Sequence, residues 1–156
     1  TSEVKFTLRG LKDRPGIAAT LFAALADYNV NVDMILQNVS EKGFTDLSFT
    51  APDADLDRAR EALDSIADEL EARDIVIDEN IAKISLVGAG MRTSPGVTAK
   101  TFSVLGDLGI NIQLISTSPI RISCIIELKE IERALIGLHQ AFGLDEGDTI
   151  DESTRG

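Results

Sequence analysis

The 156 residues suffice for one ordinary domain or two small ones, and 44% apolar with 26% charged residues is the composition of a globular fold. The net charge is −11 and no basic run interrupts it, which excludes nucleic acid and anionic membrane surfaces as partners. No stretch is long and apolar enough for a membrane span or a secretory leader, so the expected location is cytoplasmic; a start at Thr1 instead of Met suggests a processed chain or a piece of a longer one.

Lys5–Arg9 alternates and reads as a strand, followed by a polar loop over Gly10–Arg14. Pro15 suits the first position of a helix, where its missing N–H costs nothing. Ile17, Leu21, Leu25 and Tyr28 give that helix an apolar face, and Asn29 ends it. Val30–Val39 reads as a strand, Glu41-Lys42-Gly43 as a turn and Phe44–Thr50 as its hairpin partner. A second helix follows with Asp55 as N-cap candidate and Leu56, Ala59, Leu63, Ile66 and Leu70 on its buried face. Arg73–Asp78 closes the series as a fourth strand. The order βαββαβ predicts an antiparallel four-stranded sheet with both helices on one face, the ferredoxin-like split βαβ of the α+β class.

The pattern then recurs 80 residues on. Pro15-Gly16, Ala19, Phe22, Leu25, Asp27, Asn31 and Ile35 match Pro95-Gly96, Ala99, Phe102, Leu105, Asp107, Asn111 and Ile115 in one register. Two tandem domains are expected, residues 1–80 and 81–156. The second has a strand at Ala82–Gly88, a helix at Pro95–Leu108, a hairpin over Asn111–Glu127 and a helix over Leu128–Phe142. Asp145–Gly156 reads as an acidic tail, which leaves the second sheet without a clear last strand. An unpaired edge invites strand exchange or an oligomer.

Several chemistries lack their residues. Gly88-Ala89-Gly90 is similar to a dinucleotide loop, but the next glycine is Gly96 and the βαβ setting is missing. No phosphate loop is present, and one histidine, one cysteine and scattered acids give no metal-ligand cluster. Cys124 lies in the apolar run Ile120–Ile126 and reads as a small buried hydrophobe; His139 is the sole histidine that could activate it. No catalytic residue, metal or cofactor is assigned to this chain.

The equivalent loops Leu11–Pro15 and Met91–Pro95 precede equivalent helices. A helix start offers unpaired N–H groups and the positive end of a dipole to a carboxylate, and Asp13 offers a charge to an ammonium. Asn31, Asp33 and Gln37 are expected on one face of the second strand, as are Asn111 and Gln113 in the second copy, followed by Thr117 and Ser118. Such residues suit a receptor for an α-amino acid. They also suit a loop that starts a helix and a polar seam between domains.

The loop–Pro-Gly–helix–strand unit resembles the ACT domain, an amino-acid-binding regulatory module. Asp13–Ala18 with Asn31–Ser40 is similar to the first ACT domain of the aspartate kinase family. Lys83–Gly90, Met91, Ser94–Val97, Asn111-Ile112, Leu114–Ser118 and Ile120–Ser123 are similar to the second. The resemblance points to the heterotetrameric type, in which a non-catalytic β subunit carries only the ACT pair, arises from an internal start in the gene of the catalytic α subunit, and partners that subunit. The excised C-terminal part of an α subunit would read the same way. The resemblance implies a homodimer of ACT pairs, feedback inhibition of aspartate phosphorylation on the route to lysine, threonine and methionine, and ATP bound only by the catalytic subunit. It implies threonine between ACT domains, with lysine in concert. The implied ligand contacts are Asp13, the backbone of Pro15, Gly16, Ile17 and Ala18, then Asn31, Val32, Asp33, Gln37, Asn111 and Ile112, with Thr117 and Ser118 beside them. In the family a strand ahead of the position of Thr1 helps to complete the second sheet. The rival readings are a free-standing amino-acid sensor acting on another partner and a dimerisation module without a ligand.

Overall fold

The computed structural model describes residues 3–39, 42–88, 95–143 and 148–154. The chain divides into two compact units, Ser2–Glu79 and Asn80–Gly156. The first contains β1 (Glu3–Lys12), α1 (Ile17–Asp27), β2 (Ile35–Val39), β3 (Phe44–Pro52), α2 (Leu56–Ser65), α3 (Ala67–Leu70) and β4 (Asp74–Asp78). The second contains β5 (Ile81–Gly88), α4 (Pro95–Asp107), β6 (Leu114–Ser118), β7 (Arg121–Glu127), α5 (Ile131–Phe142) and β8 (Asp148–Thr154). The sheet orders are β2-β3-β1-β4 and β6-β7-β5-β8, with every neighbouring pair antiparallel. These are two ferredoxin-like split βαβ units, as the strand and helix pattern predicts.

In the first unit Val4, Phe6 and Leu8 of β1 point to one face and are fully buried. Ile17, Leu21 and Leu25 of α1 and Ala59, Ala62 and Leu63 of α2 close on them in one core. The rings of Phe6 and Phe49 stack with centroids 4.8 Å apart, and Phe22 meets Phe49 edge-on at 6.3 Å. The second unit keeps the geometry but not the aromatics. Ile84 pairs with Cys124 where Phe6 pairs with Phe49, and Phe102, the counterpart of Phe22, is exposed. The edge strand β4 is fastened to β1 by a two-pronged bond: Arg9 Nε and Nη2 donate to the Asp74 carboxylate at 2.6 and 2.8 Å. That guanidinium holds the Asp74 carboxyl below the usual carboxylate range.

The structure corrects the sequence reading in several places. The second sheet has its fourth strand: β8 pairs with β5 from Asp148 opposite Gly88 to Thr154 opposite Ala82, within the stretch expected to be a tail. Its single apolar residue, Ile150, conceals it, because an edge strand is held by its backbone and can do without an apolar stripe. Pro15 is not the first helical residue. Arg14–Ile17 is a type II turn, with the Ile17 N–H donating to the Arg14 carbonyl at 3.3 Å and Gly16 at φ 88°, ψ −6°. In the second unit α4 does begin on Pro95. The helix that reads continuously to Leu70 breaks at Ile66 into α2 and α3.

β1 also runs further than its alternation suggests, reaching Lys12 through a register shift between Leu8 and Leu11. Gly10 sits in that shift at φ 69°, and a Cβ there would lie 2.9 Å from Arg73 Cβ. Gly43 has a similar φ, 79°, but open space around it. Gly10→Ala is therefore expected to combine left-handed strain with a clash and to cost about 2–4 kcal/mol, against about 1 kcal/mol for Gly43→Ala. Urea unfolding of the two variants measures the difference.

Candidate functional site

The first candidate region is the entry to α1. Asp13 is exposed and anchored by its backbone, its N–H donating to the Gly43 carbonyl at 2.9 Å. Arg14 reaches across to the Glu69 carbonyl at 3.0 Å, which ties the loop to the end of α3. After the Pro15-Gly16 turn the Thr20 N–H donates to the Gly16 carbonyl, and no side chain caps the helix start. The first turn carries no acid. Among the described residues nothing accepts the N–H groups of Ala18 and Ala19. They point along the axis at the positive end of α1, a place that favours a carboxylate. Ile17 is buried in the core and Ala18 is packed against it, so both can serve a ligand only through their backbone. Gly16 leaves open space where a side chain would stand.

The second region, Asn31–Asp33, precedes β2 and is not part of a strand, against the expectation of Val30–Val39. Side chains and the backbone of β3 share the bonds here. The Asn31 N–H donates to Asp55 Oδ2 at 2.9 Å, the Asp33 N–H to the Thr50 carbonyl at 2.9 Å and the Met34 N–H to Thr50 Oγ1 at 3.1 Å. Asp55, expected as a helix N-cap, occupies that position but makes no side-chain cap bond to α2. Val32 turns its side chain to the core, and of the three N–H groups only its own has no acceptor among the described residues. The side chains of Asn31 and Asp33 are exposed.

These two regions do not border one cleft. β3 runs antiparallel to β1 and β2, with Thr45 opposite both Leu11 and Val39, and Phe49 opposite both Phe6 and Ile35. Asp13–Ala18 therefore lies at one end of the sheet and Asn31–Asp33 at the other. The 11 residues of α1 separate them by about 16 Å at ~1.5 Å per residue. Gln37 stands between the two ends, in the middle of β2 opposite Leu47, exposed on the free edge of the sheet.

The second unit repeats the division. Asn111 is exposed, Ile112 packs on its core, and the Gln113 N–H donates to the Ile125 carbonyl at 2.8 Å, as Asp33 does to Thr50. Thr117 and Ser118 lie at the far end of β6, where Ser118 Oγ accepts the Ile120 N–H at 3.4 Å in the hairpin turn. The loop Met91–Ser94 falls outside the described residues.

Among the described residues no group of three His, Cys, Asp or Glu side chains converges as a metal site, and no helix is long and apolar enough to cross a membrane. Cys124 is buried in the second core, and burial pushes its thiol from about 9 up to about 11. Because the neutral thiol is the form favoured on folding, this contribution to stability is complete below about pH 9 and lost as pH rises toward 11. At pH 8 a thiol-specific disulfide reagent is expected to leave Cys124 untouched in the native chain and to react fully in denaturant. Rapid labelling of the native chain would contradict its place in the core.

ACT-domain family models match residues 6–68 and 84–142. The aspartokinase of Mycobacterium tuberculosis (strain ATCC 25618 / H37Rv) is 48% identical over 157 residues, covering 98% of this chain and 37% of that protein. The chain thus spans little more than a third of the length of the curated relatives it matches. Among solved structures, one of aspartokinase alpha and beta subunits is similar with a TM-score of 0.84 and 44% identity, over 92% of this chain and 94% of that one. The ligand-free regulatory subunit of aspartate kinase from Thermus thermophilus has a TM-score of 0.85 and 39% identity, over 90% and 93%.

Proposed function

The chain belongs to the aspartokinase family as its pair of ACT domains, and we propose that it is the regulatory, non-catalytic part of a cytoplasmic aspartate kinase, where it binds an end-product amino acid and passes that state to a catalytic subunit. The observation that carries this reading is the end-to-end match to an aspartate kinase regulatory subunit, combined with an uncapped α1 start beside Asp13.

The chemistry suits threonine. Its carboxylate accepts the Ala18 and Ala19 N–H groups and its ammonium meets Asp13. Because α1 holds Asp13–Ala18 and Asn31–Asp33 about 16 Å apart, one small amino acid cannot touch both sets in a single unit. A second copy of the chain can supply the missing half of each site. A closed two-fold pair of chains then holds two kinds of site, one for threonine and one open to a second effector such as lysine.

Calorimetry and sedimentation test this together. The pure chain is expected to sediment as a dimer and to bind threonine, and Asp13→Ala should weaken binding about five- to tenfold with the fold unchanged by circular dichroism. Without a catalytic subunit the chain should form no aspartyl phosphate from ATP and aspartate. With one, threonine should inhibit the reaction. Binding of an amino acid without any effect on such a kinase would favour a free-standing sensor, and absence of binding would favour a dimerisation module.

A further inference from the structure

The residues that fix the Asn31–Asp33 segment lie outside it. Asp55 is 4% exposed, and its carboxylate serves two partners: Oδ2 accepts the Asn31 N–H at 2.9 Å, and Oδ1 accepts from the Arg58 guanidinium. The other terminal nitrogen of Arg58 donates to the Asn29 carbonyl at 3.0 Å. One acid and one base thus grip both sides of the bend in which Asn29 adopts φ 57°. A buried carboxylate is stable only where its bonds are made, so this geometry is strongly specified.

The second unit has half of the device. Glu130 pairs with Arg133, and Arg133 donates to the Leu108 carbonyl at the end of α4, just as Arg58 holds the end of α1. Yet the Glu130 side chain is 20% exposed against 5% for Asp55. Among the described residues no carboxylate reaches the Asn111 N–H.

We propose that Asp55, held by Arg58, is a positioning residue for effector binding: it presets the Asn31–Asp33 backbone in its ligand-ready form, whereas, among the described residues, the Asn111 N–H at the equivalent end of the second unit has no such latch. The proposal rests on the regulatory reading above. A preset segment binds without the loss of freedom that an unlatched one suffers, so the latch raises affinity without touching the ligand. Among the described residues, the Val32 N–H, framed by two fixed N–H groups, is the backbone donor of this segment left for the effector.

The test uses the full chain, with threonine and lysine as the probes. Amide hydrogen exchange should find Asn31 protected in the ligand-free wild type and unprotected in Asp55→Ala, while Asn111 exchanges quickly in both. By calorimetry, Asp55→Ala should lower the affinity for the amino acid held at the Asn31–Asp33 end about tenfold and leave the other unchanged, with Asp13→Ala doing the reverse. If Asp55→Ala does not fold, Asp55→Asn keeps an acceptor oxygen but not the charge that Arg58 draws on, and about a threefold loss is expected. Unchanged affinities in both variants, or undiminished Asn31 protection, would overturn the proposal. Failure of the wild type to bind either amino acid would instead sink the regulatory reading, and the latch would be an element of the fold alone. The exchange data separate the two failures.

Discussion

β1 is hydrogen-bonded along both edges, to β3 from Glu3 to Lys12 and to β4 from Lys5 to Arg9. A strand paired on both sides cannot slide, because a shift by one residue would turn Val4, Phe6 and Leu8 out of the core. Its direction fixes everything after it. Lys12 ends at one end of the sheet, so α1 must start there and run back over the buried face, and the chain leaves α1 at the opposite end. Which backbone groups are free at each end is then a matter of topology. The uncapped start of α1 and the latched Asn31–Asp33 bend are two ends of one helix, and no side-chain rearrangement can bring them together.

The two copies show how much of this plan the fold requires and how much it tolerates. Both end the first helix with a residue in the left-handed region, Asn29 in one and Gly109 in the other, and both tie that end to an arginine one turn into the second helix. These features turn the chain from a helix into the edge strand, and they recur because the turn itself recurs. The helix entries differ, with a Pro-Gly type II turn before α1 and Pro95 as the first residue of α4. So do the cores. The stack of Phe6, Phe22 and Phe49 contributes about 0.5–1.5 kcal/mol per ring pair beyond simple burial, and the second unit forgoes it for aliphatic packing around Cys124.

The architecture was legible in the sequence because it rests on period and repetition. The alternation of β1, the three-to-four spacing in α1 and the 80-residue offset are all visible without coordinates. β8 was not, since a strand held by its backbone at an edge leaves little mark on composition. The individual candidate positions could be named, but their arrangement could not. Parity along an assumed strand grouped Asn31, Asp33 and Gln37, whereas Asp55 takes the Asn31 N–H and Thr50 Oγ1 the Met34 N–H, and the regular strand begins only at Ile35. Asp55 and Arg58 read as an ordinary helix start, and an acid three residues before an arginine is too common a pair to signal a latch. The signal that could have found it is its partial recurrence at Glu130 and Arg133, which the 80-residue register hides because the second helix begins at an offset of 75.

Charge sharpens the chemistry that an end such as Asp13–Ala18 can support. A helix start alone would accept phosphate or sulfate as readily as a carboxylate. Here it stands in a protein of net charge −11, with Asp13 beside it. A multiply charged anion is repelled at long range by the whole chain and at short range by Asp13. A zwitterion carries no net charge, so the long-range field does not oppose it. An ammonium would turn Asp13 from a repulsive neighbour into a partner, and a carboxylate is the group that a helix start favours. The same acid that disfavours phosphate at such an end therefore favours a zwitterion. The first turn of α1 carries neither an acid nor a base, and the basic side chain of this segment, Arg14, is turned to the Glu69 carbonyl, so Asp13 dominates the local charge at the helix start.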